Sequence, residues 1–416
     1  MRIIKLTPRI EKWLLARRAQ QDDEARSVAA EIVADVRKRG DAALFAWTKK
    51  LDHVDLGREG VWIARKEIRS AVRHVSPTFL SAIKRAAENV RQVAEKQLPR
   101  PWSIQSEPGV RISQRVSAIE SIGCYVPGGH FSLVSTLVMT AVPAQVAGVS
   151  RIVAVCPAPN PEFLAAARLL GIVEIARIGG AQAIATLAYG TKLIPRVEKI
   201  FGPGNKYVTA AKQLVSGDCA VDLPAGPTEA IVLAVQGNAH WIAADLLAQA
   251  EHAKDAASFF VTTSRSFARE VQREISWQLG ELPFGMARVS TEIAGAIFVA
   301  DSLEQACEFI NRFAPEHLSL PENADKLLRK INSAGTVFLG PWAAQPLGDY
   351  ATGSNHVLPT RGWARRRGGL SAADFVKCIS VQTITRRGFL RLADTVETLA
   401  ESEGLMAHRN AVRVRR

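Results

Sequence analysis

An amide and an imidazole stand three residues apart in the segment 245–252, at Gln249 and His252. If this segment is helical, side chains at positions i and i+3 leave the same face of the helix. The carboxamide oxygen and the imidazole nitrogen would then form half of a metal site that still lacks a negative charge. The alternative is an exposed glutamine beside a histidine at a helix end, with no chemical role.

Acidic residues and further histidines that could complete such a site lie far along the chain. Asp349 falls in the polar segment 348–356, which we predict to be a loop, and His356 ends that segment without an assigned role. Glu403 and His408 stand close to the C-terminus. Oxygen and nitrogen ligands acceptable to Zn²⁺ or a neighbouring divalent ion are offered by Gln249, His252, Asp349 and His408. Spacing alone does not establish a metal site, because the ligands come from distant segments.

A carboxylate and an imidazole are adjacent at Glu316 and His317, within the segment 314–318. Neighbouring side chains point in different directions, so the two groups could address two faces of one substrate. Such a pair can run two different proton transfers, one by histidine near neutral pH and one by glutamate on a water molecule. The alternative is a helix or loop corner with a solvated glutamate and a packed histidine.

Three glycine-rich turns, 128–129, 179–182 and 202–205, each precede a predicted helix. The N-terminus of a helix offers unpaired N–H groups and the positive end of the helix dipole, which suit a phosphate. None of the turns matches GxGxxG, and no acidic residue follows at the spacing that binds a ribose. The turns are therefore either structural or part of an atypical dinucleotide site.

Composition narrows the classes of partner. The formal charge of +13 would suit nucleic acid, an anionic surface or an anionic small molecule. Only 6% of the residues are aromatic and no basic stripe alternates with stacking rings, which argues against nucleic acid. The five cysteines are far apart and form no CxxC, so we expect reduced thiols in a cytoplasmic protein. We expect no signal peptide, because the first residues contain no apolar run of sufficient length, and no membrane span, because the apolar segment 133–149 is broken by Pro143 and by polar residues.

The elements that must position these residues alternate between short apolar runs and helices. Helices are predicted at 22–39 and 76–96, before the alternation begins, and then at 135–147, 161–170, 264–280 and 302–312. Strands are predicted at 115–122, 151–156, 173–178, 197–201, 229–235, 257–263, 296–300 and 335–339. Strand, glycine turn and helix in repetition predict an α/β fold with parallel sheets and ligand loops at their carboxyl edges.

Two related α/β units of incomplete Rossmann type are predicted, with helical N- and C-terminal appendages. The predicted limits are an N-terminal arm at 1–20, a split unit at 21–124 and 231–382, an inserted unit at 125–230 and a tail at 383–416. A ligand would occupy the cleft between the two units.

Many long motifs in one order make the chain resemble the histidinol dehydrogenase family over essentially its whole length. The motifs that carry the resemblance are 125–129, 179–185, 201–205, 224–229, 245–252, 314–318, 348–356 and 403–408. The resemblance implies the enzyme that ends histidine biosynthesis and oxidises L-histidinol through L-histidinal to L-histidine in two NAD-linked steps. It also implies that the split unit carries the metal and catalytic residues, that the inserted unit binds NAD, and that the tail serves dimerisation.

The resemblance further implies a role for each site residue. One zinc ion per subunit would be held by Gln249, His252, Asp349 and His408, with His408 contributed by the partner subunit of a homodimer. The substrate would be contacted by Thr228, Gln249, His252, His317, Asp349, Glu403 and His408. NAD would be contacted by Tyr125, Gln182 and Asn205. His317 would take the alcohol proton, and Glu316 would activate water on the aldehyde.

Two departures from the family pattern are visible. Thr228 stands where serine is common, and its extra methyl group narrows the pocket; His130 stands where a basic residue is frequent. A zinc- and NAD-dependent dehydrogenase of the same fold, acting on another amino alcohol or diol, is therefore an alternative. A basic nucleic-acid-binding protein built on a retired enzyme fold is a second alternative, but it predicts the loss of site residues, which are all retained.

Overall fold

The computed structural model describes residues 1–19, 22–128, 133–223, 226–322 and 324–416. In these ranges, two parallel sheets with helices packed on them form an α/β fold, and a smaller antiparallel sheet adjoins the C-terminal helices. The predicted α/β class with parallel sheets and helical terminal segments is confirmed.

The strands are β1 Arg2–Lys5, β2 Trp102–Glu107, β3 Val110–Ala118, β4 Ser121–Tyr125, β5 Arg151–Val155, β6 Glu174–Ala176, β7 Lys199–Phe201, β8 Ala220–Val221, β9 Glu229–Leu233, β10 Ala257–Thr262, β11 Ala296–Val299, β12 His317–Leu320, β13 Thr336–Leu339 and β14 Val376–Ile384. The α-helices are α1 Pro8–Ala19, α2 Asp23–Arg39, α3 Asp41–Leu51, α4 Leu56–Glu59, α5 Arg65–Ala71, α6 Pro77–Gln97, α7 Val134–Ala147, α8 Pro161–Leu169, α9 Gly180–Tyr189, α10 Lys206–Val215, α11 Ala239–Ala250, α12 Arg265–Glu281, α13 Met286–Ile293, α14 Leu303–Phe313, α15 Ala324–Leu328, α16 Gln345–Tyr350, α17 Arg386–Ser402 and α18 Met406–Arg413.

The first sheet is parallel, with the strand order β1-β11-β10-β9-β12-β13. Successive residues of a strand face opposite sides of a sheet. Accordingly Ile231 and Leu233 of β9 enter one apolar core, whereas Val232 between them enters the core on the other face. Because β1 pairs with β11, the predicted N-terminal arm supplies an edge strand of this sheet.

The second sheet is also parallel, with the order β6-β5-β4-β7-β8. Counted along the chain from β4, this order is 3-2-1-4-5, and strands β9 to β13 of the first sheet follow the same order. A complete Rossmann sheet continues to a sixth strand, so both sheets are incomplete Rossmann units of one topology. In such sheets ligands bind where the strand order reverses, which here is between β4 and β7.

The N-terminal helices complete the second unit. Asp22 caps α2 by accepting a hydrogen bond from the N–H of Ala25, and Ile32 and Val36 of this helix lie in the core that covers the second sheet. The limits of the predicted inserted unit, 125–230, fall within strands β4 and β9. The division of the chain into an inserted and a split unit stays a prediction.

The third sheet, of order β14-β3-β2, is antiparallel and corrects one strand prediction. The predicted strand at 115–122 is wrong, because β3 ends at Ala118 and β4 of another sheet begins at Ser121. The tail beyond 383 is helical as predicted. Over the described ranges, no helix combines the length and the apolarity that crossing a membrane requires.

Candidate active site

The adjacent Glu316 and His317 lie at the amino edge of the first sheet. His317 is the first residue of β12 and is paired with Ala230 of β9, so Glu316 and Thr228, which precede these strands, are neighbours. The alternative prediction, a helix or loop corner with a solvated glutamate, is therefore wrong, because the pair lies at the start of a buried strand. Ligand loops are predicted at carboxyl edges, after the glycine turns, whereas this pair precedes its strand and lies at the opposite edge.

Three consecutive hydrogen bonds, all donated in the same direction, form a chain that ends on Glu316. Gln345 Nε2 donates to Gln249 Oε1 at 2.5 Å, and Gln249 Nε2 donates to Thr228 Oγ1 at 2.8 Å. The hydroxyl of Thr228 then donates to Glu316 Oε2 at 2.5 Å. The backbone N–H of Glu229 donates to the same oxygen at 3.0 Å, so Glu316 Oε2 is held by two donors.

The imidazole of His317 is buried between two carboxylates. Its Nδ1 lies 3.7 Å from Glu316 Oε2, and its Nε2 lies 3.6 Å from Asp349 Oδ1. Burial lowers the pKa of His317, but the negative charges of Glu316 and Asp349 outweigh it and leave that pKa above its ordinary value. His317 Nδ1 is buried and has no hydrogen-bond partner among the described residues. A buried nitrogen of this kind is unusual unless a ligand uses it.

Asp349 lies on the short helix α16, so the predicted loop at 348–356 is wrong at its start. In this helix, Gln345–Tyr350, the side chain of Asp349 points inward and reaches His317, whereas Tyr350 is exposed. Burial raises the pKa of Asp349, but the imidazoles of His317, His356 and His252 outweigh it and hold the pKa below its ordinary value. Asp349 therefore meets neutral pH as an anion, the form that a cation binds.

His356, which the sequence left without a role, is part of this site. Its Nδ1 lies 2.9 Å from the backbone oxygen of Asp349, and its Nε2 lies 3.2 Å from Thr136 Oγ1. Burial lowers the pKa of His356, which keeps the ring neutral. Since α7 follows the loop at the carboxyl end of β4, His356 connects the two parallel-sheet units.

The predicted helical pair Gln249 and His252 is only half correct. Gln249 is buried in the last turn of α11, but the helix ends at Ala250, and His252 is exposed in the bend that follows. The premise of a shared helical face is therefore wrong. His252 nevertheless lies close enough to Asp349 to influence its pKa, so the turn after α11 brings it to the site.

Glu403 and His408 lie elsewhere. Glu403 follows α17 and His408 belongs to α18, a helix without buried side chains that packs on α17. Neither residue forms a hydrogen bond or ion pair with Gln249, His252 or Asp349 in the described chain. In the same ranges no three His, Cys, Asp or Glu side chains are grouped so as to hold a metal ion. In one copy of the chain, α11 with Gln249 packs against α16 with Asp349 and His252 follows α11, whereas no hydrogen bond or ion pair joins His408 to them in the described ranges.

The three residues predicted to contact NAD lie at the carboxyl edge of the second sheet. Tyr125 ends β4, and its hydroxyl accepts a hydrogen bond from the N–H of Gly180 at 3.1 Å. Gln182 is fully buried; its Nε2 donates to Asp52 at 2.9 Å, whereas its Oε1 has no partner in the described chain. Asn205 caps α10 through two backbone N–H groups. Tyr125 thus ends β4, Asn205 follows β7 and Gln182 lies in the first turn of α9, so all three lie at or after the carboxyl ends of strands in this sheet.

The glycine turn after β7 is fixed by its surroundings. Gly202 has φ +113°, and a Cβ at this position would lie 2.0 Å from the backbone oxygen of Tyr125. The N–H of Gly202 donates to Asp222 Oδ2 at 2.8 Å, and its oxygen accepts from Lys212 Nζ at 2.9 Å. Gly129 and His130 of the first predicted turn, and Pro224 and Ala225 of the motif before Thr228, lie outside the described residues.

A family model described as histidinol dehydrogenase matches residues 15–416. The chain belongs to the histidinol dehydrogenase family. It is 42% identical over 411 residues to "Histidinol dehydrogenase" of Methanosarcina barkeri, covering 97% of this chain and 94% of the relative. It is 44% identical over 410 residues to the protein of that name from Geobacter sulfurreducens, covering 97% of this chain and 96% of the relative.

A crystal structure titled as histidinol dehydrogenase from Elizabethkingia anophelis superposes on this chain with a TM-score of 0.94. The two sequences are 37% identical, and the alignment covers 100% of this chain and 98% of the other. The arrangement of all three sheets is therefore the fold of the histidinol dehydrogenase family. Glu316 and His317 therefore lie in a fold shared with that family.

Several residues of the candidate site were not predicted. Gln345 begins the hydrogen-bond chain, His356 supports Asp349, and Glu229 donates to Glu316. Arg18 forms an ion pair with Glu229. No clear local sequence pattern identifies these residues as part of the site. Only Glu229 and His356 stand in motifs that carry the family resemblance, and Glu229 directly follows Thr228 there.

Proposed function

We propose that this chain is an NAD-linked, zinc-dependent dehydrogenase that oxidises L-histidinol through L-histidinal to L-histidine, the last step of histidine biosynthesis. The observation that carries the proposal is the buried Glu316–His317 pair between Thr228 and Asp349 in a member of this family. A four-electron oxidation of this type needs two unlike proton transfers, and two adjacent groups in different environments suit them.

The donor set fits zinc. Gln249 would offer an amide oxygen, His252 an imidazole nitrogen and Asp349 a carboxylate whose lowered pKa keeps it ionised. Helices α11 and α16, which carry or precede these residues, pack against each other. When bound, zinc would orient the substrate and withdraw electrons from its hydroxyl oxygen.

His317 is the group that takes the proton of the alcohol in this proposal. Its Nδ1 lacks a partner in the described residues, so that nitrogen is available to a substrate hydroxyl. Its raised pKa makes it a stronger base than a free imidazole, at the cost of being protonated to a higher pH. Asp349, 3.6 Å from Nε2, stabilises the cation that forms when the proton arrives.

Glu316 is the group that activates water for the second oxidation. Both donors, Thr228 and the N–H of Glu229, engage Oε2, and Oε1 accepts no hydrogen bond in the described chain. One oxygen is therefore fixed while the other is available to a water molecule. Oxidation of the hydrated aldehyde then ends at the carboxylate.

NAD would lie near Tyr125, Gln182 and Asn205 and would supply the hydride acceptor. The unpaired Gln182 Oε1 and the helix that Asn205 begins are the features that support this assignment. His356 joins Asp349 to Thr136 of α7, the helix that follows β4, and the proposal places the cofactor on this side of the second unit, near the substrate.

A homodimer with a shared site accounts for the residues that one copy leaves apart. The tail carries Glu403 and His408, and it exposes Leu399, Met406 and Val414, which are 58%, 50% and 69% exposed. Exposed apolar side chains on a terminal helix pair indicate a surface that another chain covers. The substrate contacts in the proposal are then Thr228, Gln249, His252, His317 and Asp349 of one subunit with Glu403 and His408 of the other.

Metal analysis of the purified protein, combined with an assay of NADH formation, tests the proposal. We expect one zinc per subunit and two NADH for each L-histidinol consumed. No turnover of L-histidinol by zinc-loaded protein would contradict the substrate and favour another amino alcohol, which the methyl group of Thr228 leaves possible. A yield of one NADH would contradict the second oxidation.

Two variants test the division of labour. Glu316→Gln is expected to stop after the aldehyde, whereas His317→Asn is expected to slow the first oxidation as well. Equal defects at the same step would contradict the separate roles.

Subunit mixing tests the shared site. Asp349→Asn and His408→Asn proteins are each expected to be inactive. If the two are unfolded together and refolded, heterodimers would contain one site with both lesions and one intact site. Activity should therefore reappear in the mixture and not in either protein alone. A mixture that contains heterodimers but stays inactive would place each site within one subunit.

A further inference from the structure

Arg18, near the end of α1, contacts the two backbone segments that lead into the catalytic strands. Its guanidinium pairs with both carboxylate oxygens of Glu229, the first residue of β9. It also donates to the backbone oxygens of Phe313 and Ala314, the latter at 3.2 Å, and lies over the Phe313 ring at 4.0 Å. One side chain of the N-terminal helix therefore bridges the segment before β9 and the segment before β12.

These two segments carry the catalytic constellation. Thr228 precedes Glu229 by one residue, and Glu316 follows Ala314 by two. Ala314 has φ +51°, an uncommon backbone conformation for a residue with a side chain. Hydrogen bonds to the oxygens of Phe313 and Ala314 stabilise this turn, and the turn sets the direction in which Glu316 enters the site.

The charge of Glu229 also has to be balanced for Glu316 to work beside it. Glu229 is 2% exposed, and burial raises its pKa to about 7 while Arg18 opposes the rise. The charge of Glu316 acts in the same direction as burial. Without Arg18, Glu229 would lose the guanidinium that pairs with it while the charge of Glu316 acts nearby, and one of the two buried carboxylates would be protonated or displaced.

We propose that Arg18 is a positioning residue for Glu316, acting through Glu229 and the turn at Phe313–Ala314. The inference rests on the proposed function, because it assigns Arg18 to the oxidation step in which Glu316 activates water. It makes the N-terminal helix a part of the active centre and not only a cover of the first sheet.

The test compares Arg18→Met with Arg17→Met in the zinc-loaded protein. Arg17 is the adjacent arginine on the same helix; it lies over Trp13, and in the described ranges it forms no hydrogen bond or ion pair with Glu229. We expect Arg18→Met to lower kcat for L-histidinal roughly 10-fold, which corresponds to about 1.4 kcal/mol of activation free energy, with a smaller loss for L-histidinol and little change in KM. Arg17→Met should retain both rates.

A second measurement separates positioning from folding. Arg18 lines a cavity of about 1120 Å³ with Trp13, Leu14, Phe313 and Arg361, so a small cation can reach its place. Methylguanidinium, at concentrations far below those that unfold proteins, should restore kcat for L-histidinal in Arg18→Ala, and an equal concentration of NaCl should not.

Two results would overturn the positioning role. One is Arg18→Met with the same ratio of the two kcat values as Arg17→Met. The other is a loss of both rates in proportion to the folded fraction, measured by urea unfolding, without rescue. A parent protein that does not oxidise L-histidinol would instead refute the proposed function, so the two failures are distinguishable.

Discussion

Replacing Thr228 by valine tests the hydrogen-bond chain at its centre. Valine keeps the branched shape of threonine, so packing changes little, but it removes the hydroxyl group. That hydroxyl donates to Glu316 Oε2 and accepts from Gln249 Nε2. The N–H of Glu229 remains as a second donor to Glu316, so the glutamate loses one of two restraints.

The size of the effect follows from the two bonds lost. A hydrogen bond to a charged group contributes roughly 1.5–3 kcal/mol, which corresponds to a decrease of roughly 10- to 100-fold in a rate that depends on it. The buried Gln249 also loses its acceptor, which costs roughly 1–3 kcal/mol of folding stability. Thr228→Ser keeps both bonds and removes only a methyl group, so we expect it to stay within a few-fold of the parent rate.

The assay measures kcat for L-histidinol and for L-histidinal separately, through NADH absorbance, with urea unfolding of each protein. We expect Thr228→Val to lower kcat for L-histidinal by the larger factor, since Glu316 acts in that step. If Thr228→Val and Thr228→Ser oxidise L-histidinal at the same rate, the hydroxyl does not support Glu316 and the chain is only structural.

Two further predictions concern the turn at the second sheet and the titration of the site. Gly202→Ala should destabilise the fold by roughly 1–3 kcal/mol and weaken NAD binding, because the new Cβ has no space and the backbone is left-handed there. The control Gly217→Ala, where a Cβ meets nothing within 4 Å, should do neither; equal unfolding midpoints of the two variants would contradict this prediction. In the metal-free protein, NMR should give His317 a pKa above the usual 6.5, and Asp349→Asn should lower it. Because the folded pKa exceeds the unfolded one, His317 should stabilise the fold below pH 6.5, a contribution lost as the pH rises through the folded pKa. An unchanged pKa in Asp349→Asn would contradict the role assigned to that charge.

Most of the fold could be predicted from the sequence, because buried parallel strands are short continuous apolar runs with helices between them. The antiparallel sheet could not be predicted in this way. All residues of β2 are exposed, and most of β14 is exposed as well, so neither strand has an apolar face that a pattern would reveal. The strand predicted at 115–122 joined β3 to β4 because only two residues separate them.

The residue types of the site could be predicted, but parts of its construction could not. The helix with Gln249 ends two residues before His252, and helix ends are not defined to that accuracy by sequence. Arg18 and Gln345 reach the site across long sequence separations, 211 residues in the pair Arg18–Glu229. Such contacts depend on how the elements pack, which no local pattern contains.

In the proposed site, ligands would meet the carboxyl edge of only one of the two related sheets. Tyr125 ends β4 and Asn205 follows β7 of the second sheet, whereas His317 begins a strand of the first. Two units of the same topology would therefore contribute different edges to the proposed site. His356 connects the two units, because it contacts Asp349 of the first on one side and Thr136 of the second on the other. In the proposed dehydrogenase, the cofactor would lie at a carboxyl edge and proton transfer would take place at an amino edge, so one folding topology would supply both kinds of edge.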